Sequence, residues 1–164
     1  MSILSRFRQS GGFLKLILLV ESSDAQKQKT LLHLVSQEDP GWAHLLKLKT
    51  LSSDRILTWP ESVLCRIWAS SPLQLAVAIW QKSPAVLREK IERSLPRTYQ
   101  SSFRKALEET PPLDEAEFAT AQLRLVLQVR EMSISGQLDF QDFDPALLLQ
   151  DQLNDHFEPF KKTA

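Results

Sequence analysis

Four prolines, Pro60, Pro72, Pro84 and Pro96, stand twelve residues apart. Proline has no amide N–H and disfavours helical geometry in the residue before it, so it fits the first turn of a helix and not its interior. A chain punctuated in this way cannot run a long helix or a central strand through 60–96. It can form helices of about two to three turns in series. Ser71-Pro72 and Ser83-Pro84 have the composition of a helix cap followed by a first helical residue, with the serine hydroxyl accepting from an orphan N–H. After Pro72, residues Leu73, Ala76, Val77, Ile79 and Trp80 cover most of a helix circumference, which predicts a buried, central element. After Pro84, Leu87, Ile91 and Leu95 form a narrow stripe and leave Arg88, Glu89, Lys90, Glu92 and Arg93 to water. The interval is punctuation only, since helical solenoid repeats run longer.

Helical spacing continues on both sides. Beyond Pro111-Pro112, Asp114 and Glu117 have capping-box spacing, and Phe118, Ala121, Leu125, Val129 and Met132 make one apolar face that Gly136 closes. Upstream, residues 13–21, 24–37 and 40–49 read as helices separated by Ser22-Ser23-Asp24 and Asp39-Pro40. No segment alternates as a strand does, and four glycines with a single tyrosine disfavour a turn-rich β-sandwich. The fold class expected is all-α, an armadillo-like stack of short helices.

Composition excludes several functions. With 20 Lys+Arg against 20 Asp+Glu, the chain lacks the basic surplus that neutralises phosphates, so no nucleic acid is expected as a partner. The zero conceals a gradient. Residues 1–49 hold seven basic and four acidic side chains, and residues 141–164 hold two and five. These read as solvated faces, with head-to-tail contact as the alternative. One cysteine, Cys65, rules out an internal disulfide or a thiolate zinc site and fits a reducing compartment. Arg6 and Arg8 ahead of the apolar run 13–20 imitate a targeting signal, but Lys15 interrupts the run and no small-x-small pattern follows. Eight residues rise only about 12 Å as a helix, against roughly 30 Å of hydrocarbon. Cleavage at Gly11-Gly12 would leave a protein that starts inside a helix. A retained, buried helix and a cytoplasmic protein are expected.

Chemistry is sparse. His33, His44 and His156 are too scattered for an i,i+4 metal pair, and no Gly-rich phosphate loop is present, Gly11-Gly12 being too weak a signal. Cys65 is expected to be a buried structural thiol rather than a nucleophile partnered by His44. Trp42, Trp59, Trp68 and Trp80 sit on apolar helices, where core packing outweighs a ligand pocket. No catalytic residue, metal or cofactor is expected, and the chain does not read as an enzyme.

Several phrases resemble a known family. Gly11-Gly12, the run 22–32, Asp39-Pro40 with Trp42-Ala43, and Leu87-Arg88-Glu89-Lys90-Ile91 are similar to segments of the flagellar motor switch protein FliG, the last to the family's LREKF. Pro112-Leu113, Gln122 and Gly136-Gln137 fall where that family has its GPV, its mid-helix Gln and a closing GE. The resemblance needs no gap from about Asp39 to Phe140 and covers the end of the family's middle domain and its C-terminal domain. It starts downstream of the EHPQ-type motif through which the middle domain binds FliM. It implies three regions: 1–49, like part of the middle domain; 50–140, like the C-terminal domain; and a C-terminal extension, 141–164.

The family's C-terminal domain meets the membrane stator through charged residues. Carried over one by one, the lysine of its ALKGA segment falls on Gln81 and the arginine after its LREKF helix on Thr98. Its adjacent aspartates fall on Lys105 and Ala106, and the arginine after GPV on Asp114. None keeps its charge, and Lys105 and Asp114 invert it. The MFxF hinge falls on Thr50-Leu51-Ser52-Ser53, without either phenylalanine, and the DDR motif on Pro60-Glu61-Ser62. Leu87, Ile91, Leu95, Leu107, Leu125 and Val129 stay apolar. The resemblance therefore implies the family fold without its torque surface: a divergent, non-enzymatic protein–protein interaction module acting as scaffold or adaptor. The alternative is a rotor component with an altered stator interface. The candidate partner-binding residues are Gln81, Arg97, Thr98, Arg104, Lys105 and Asp114, with Arg97, Arg104 and Lys105 making a basic helix face. The implied partners are proteins, among them flagellar ring or basal-body components. The implied location is the cytoplasmic face of the inner membrane, the membrane being reached only through partners. Residues 11–38 supply two helices of an incomplete armadillo unit, whose uncovered face predicts a homo-oligomer through residues 1–38. In the tail, Asp144-Pro145 followed by Ala146, Leu147, Leu148, Leu149, Leu153 and Phe157 reads as an amphipathic helix, expected to dock on its own chain, with presentation to a partner as the alternative.

Overall fold

The computed structural model describes residues 2–149, whose regular elements are all helices, with no strand among them. The described residues divide into two compact units, one of residues 2–50 and 139–149, the other of Leu51–Leu138.

The first unit is built on three helices, α1 (Gly12–Glu21), α2 (Ala25–Glu38) and α3 (Pro40–Lys49). Each boundary has a local cause. Asp24 caps α2 by accepting from the Lys27 N–H, and Asp39 caps α3 by accepting from the Trp42 N–H, with Pro40 at the first helical position. Phe13, Leu16 and Ile17 of α1 meet Val35, Trp42, Ala43 and Leu46 in one core. The Phe13 and Trp42 rings lie edge to face at 5.2 Å. Leu4 and Phe7, from the turn ahead of α1, complete that core. Their turn is held by Glu38, whose carboxylate accepts from the Ser2 hydroxyl at 2.7 Å and from the Ile3 and Leu4 N–H groups at 2.5 and 3.1 Å. Arg8 pairs with Asp39 at 3.1 Å.

Phe13, Leu16, Ile17 and Val35 of 11–38 are thus met by this chain's own residues 2–8 and 40–49, and by Leu149, while Leu34 of α2 is left exposed. The uncovered face that the expected exchange of residues 1–38 required is absent from α1. The tail also departs from expectation. Residues 145–149 are not an α-helix: Pro145–Leu147 is a single 3₁₀ turn, and the chain is extended at Leu148. Lys49 donates to the Ala146 and Leu148 carbonyls at 2.5 and 2.6 Å, and Leu147 is fully buried. An α-helix would bond those carbonyls within itself, so the lysine holds the non-helical form. Leu153 and Phe157 lie outside the described residues.

The second unit holds the short helices that the prolines predict: α4 (Ser53–Ile56), α5 (Glu61–Ala69), α6 (Leu73–Lys82) and α7 (Ala85–Ser94). A 3₁₀ turn (Arg97–Tyr99) leads into α8 (Gln100–Glu109), and α9 (Glu115–Ile134) follows. After Pro60, Pro72, Pro84 and Pro96 the helix or turn starts at the next residue, with the proline itself extended at its edge. The serines before them act differently from the sequence reading. Ser71 and Ser83 do not cap the helices that follow. Their hydroxyls donate backwards, to the Ile67 carbonyl at 2.7 Å and the Ile79 carbonyl at 2.6 Å, and so close the preceding helices. The capping box of α9 is formed, with Asp114 and Glu117 each accepting from the other's N–H.

Helix α6 packs against α7, α8 and α9, which makes it central as expected. Its buried residues are Leu75, Ala76, Val77 and Ile79, while Leu73 and Trp80 are half-buried. Trp68 is the largest fully buried side chain, and its indole N–H donates to Ser94 Oγ at 2.9 Å. Ala121, Leu125, Val129 and Met132 bury the predicted face of α9, with Phe118 half-buried. Gly136 then ends that helix at φ 79°, in the left-handed region. Arg88 is not left to water. It donates to the Trp80 and Gln81 carbonyls at 3.0 and 2.5 Å, and its guanidinium lies 4.4 Å from the Trp80 ring centroid.

Candidate functional site

Gln81 and Asp114 come together through the link between α8 and α9. Gln81 ends the outer part of α6, and its amide grips that link from both sides: Nε2 donates to the Pro111 carbonyl at 3.3 Å, and Oε1 accepts from the Leu113 N–H at 3.0 Å. One residue later Asp114 accepts from the Glu117 N–H at 2.7 Å and begins α9. Both side chains are therefore engaged within the fold. A lysine at 81 could donate to Pro111 but could not accept from Leu113, and an arginine at 114 could not cap a helix.

Thr98, Arg97, Arg104 and Lys105 are exposed, but they do not form one basic helix face. Arg97 and Thr98 belong to the 3₁₀ turn, and Arg104 and Lys105 to α8. On α8 the two cations are followed one turn later by exposed Glu108 and Glu109, with Lys105 Nζ 3.9 Å from Glu109. The surface of α8 is mixed in sign, which the i,i+4 spacing favours. Its inner side is set by buried Phe103, which meets Trp80 edge to face at 6.3 Å.

Beside the Gln81 link lies a groove of about 740 Å³ between α6 and α9. Leu75 and Ala78 of α6, Leu113 of the link, and Ala121 and Leu127 of α9 give it an apolar lining. Gln74, Gln128, Glu117, Arg124 and Glu131 supply the polar positions. This groove is not among the residues singled out from the sequence. Its apolar lining comes partly from side chains, such as Leu75 and Leu127, that the core pattern does not include.

No group of metal-ligating side chains among the described residues accompanies it. His33 and His44 are exposed, and no group of three or more His, Cys, Asp or Glu among the described residues could hold a metal ion. His156 lies outside the described residues. Cys65 is half-buried rather than buried, and free of any disulfide. Trp42, Trp59 and Trp68 pack in the core, while Trp80 donates to Glu92 at 2.8 Å. No helix among the described residues is long and apolar enough to cross a membrane.

No curated protein matches the chain. The family model of the FliG C-terminal domain matches residues 33–140. The match begins within α2 and ends at the 3₁₀ turn after α9, so it takes in both candidate surfaces. That family is a structural component of the flagellar motor and not an enzyme family, and it works through contacts with other motor proteins. Over more than half of its length, and with the all-helical fold to match, the chain belongs to the FliG C-terminal domain family.

Proposed function

We propose that the protein is a non-enzymatic interaction module, a scaffold or adaptor that keeps the family's helical stack and has given up its torque-generating charges. The observation that carries this reading is the use made of two positions where the resemblance puts family cations. Gln81 fastens the α8–α9 link, and Asp114 caps α9. Both are spent on holding the fold, and neither offers a positive charge to a stator. Thr98, Lys105 and Ala106 add further losses at the remaining positions. Single exposed pairs contribute little, under about 1 kcal/mol each. A rotating contact that depends on several of them loses both steering and register when all are replaced.

The second reading is a rotor component with an altered stator interface. It draws on Arg97, Arg104 and Lys105, which are exposed and would offer positive charge to an altered stator surface. In either case the protein acts on the cytoplasmic side of the membrane and reaches it through protein partners. Self-association through residues 1–38 has less to recommend it, because α1 is covered within its own chain. A deletion strain separates the two main readings. The adaptor reading expects assembled flagella and normal swimming. Assembled but paralysed flagella would establish the rotor reading instead.

A further inference from the structure

The buried face of α9 accounts for only half of its pattern. Around the other side, Glu117, Arg124 and Glu131 recur every seven residues, and Thr120, Leu127 and Ile134 recur every seven residues between them. Spacings of three and four in alternation put all six on one face of the helix, with the charges in one row and Thr120, Leu127 and Ile134 in the next. All six side chains are exposed, Leu127 by 38% and Ile134 by 58%. Glu117, Thr120, Arg124, Leu127 and Glu131 also line the groove beside α6, whose facing wall is Pro72, Leu75 and Ala78. Neither Arg124 nor Glu131 has an ion-pair partner among the described residues.

We propose that this face of α9, with the groove beside it, is a docking seam for one amphipathic helix of a protein partner, with basic, acidic and basic residues seven apart opposite Glu117, Arg124 and Glu131. The inference rests on reading the chain as an interaction module and names the chemistry of its partner. The apolar positions give the partner helix something to bury, and the groove seats it between two walls. The charges decide which helix is accepted. From Glu117 to Ile134 the seam is about 25 Å long, enough for a helix of nearly five turns. A second copy of this chain in parallel register is a poor occupant, because each charge then meets its own kind. Like charges placed together suppress wrong partners, so the alternation disfavours that pairing and favours a helix with the complementary pattern.

The test uses the full chain and two synthetic helical peptides of about 21 residues, identical in their leucine positions. One carries Lys, Glu and Lys at the three heptad positions, and the other carries Glu, Lys and Glu. By fluorescence anisotropy the first should bind about tenfold more tightly than the second. The double variant Arg124→Glu, Glu131→Lys should invert that preference, and Leu127→Glu, at an exposed position, should abolish binding of both. Equal binding of the two peptides, or no binding, would overturn the seam. So would displacement of the first peptide by one spanning residues 150–164, or a dimer of the free chain that the double variant dissolves. Because the readout is a preference between peptides, it is independent of the swimming phenotype that decides the adaptor reading.

Discussion

Gly12 has no room for a side chain: a Cβ built on it would lie 1.8 Å from the carbonyl oxygen of Phe7. The contact is with backbone in the turn that brings Leu4 and Phe7 into the core, so relief requires that turn to move. Gly12→Ala is expected to destabilise the protein by about 2 kcal/mol or more, read as a shift in the midpoint of urea unfolding. An unchanged midpoint would mean that residues 2–8 are not docked as described. The same turn carries a pH dependence. Glu38 is held below its ordinary value first by the Ile3 N–H and next by the Ser2 hydroxyl. A lowered folded value stabilises the turn above the unfolded carboxylate value, and the contribution is lost as pH falls through the folded one. Followed by NMR, the Ile3 and Leu4 amides should titrate with a midpoint below that of an ordinary glutamate, and a midpoint at or above it would contradict the clamp. Little of this was legible in the sequence. Gly11-Gly12 marks a break before a helix, but the approach of Phe7 and the reach of Glu38 across more than thirty residues depend on tertiary placement.

At the scale of elements, most of the fold could be read directly. Helices 13–21, 24–37 and 40–49 appear within one or two residues of their expected limits because aspartate caps and Pro40 act locally. The prolines set the starts of α5, α6 and α7 for the same reason. What local chemistry could not decide was the direction in which a side chain would bond. Ser71 and Ser83 stand between a helix end with unmet carbonyls and a helix start with unmet amides, and they serve the end. Arg88 belongs to a charged stripe by spacing, but the α6 carbonyls and the Trp80 face draw it in. The junction of α5 and α7 offers the sharpest test. Trp68 of α5 is buried and bonded to Ser94 of α7, so Trp68→Phe should lower stability by about 1 kcal/mol and Trp68→Ala by roughly 3–5 kcal/mol. Thermal unfolding followed by circular dichroism measures both, and no loss in Trp68→Phe would show that the hydrogen bond contributes nothing.

At the scale of the molecule, the apolar residues that the resemblance keeps are turned inward, with Ile91, Leu95, Leu125 and Val129 buried and Leu87 and Leu107 half-buried. On the proposed reading, the positions that the resemblance assigns to the stator face have changed, and Gln81 and Asp114 among them are engaged within the fold. The sequence showed the change of charge at Gln81 and Asp114 but not its use, since nothing in residue spacing places Gln81 against Leu113. The groove beside α9 escaped it for a related reason: Leu75 and Leu127 fall outside the core stripes, and they share a surface only after α6 and α9 are packed. The account therefore turns on whether Gln81 and Asp114 hold the fold. The measurement that addresses this most directly is urea unfolding of Gln81→Lys, Asp114→Arg and the double variant, each restoring the residue type that the family resemblance assigns. Each single change is expected to cost about 1 kcal/mol, and the pair, joined through the same link, should depart from simple addition. Unchanged or increased stability in all three would contradict the account.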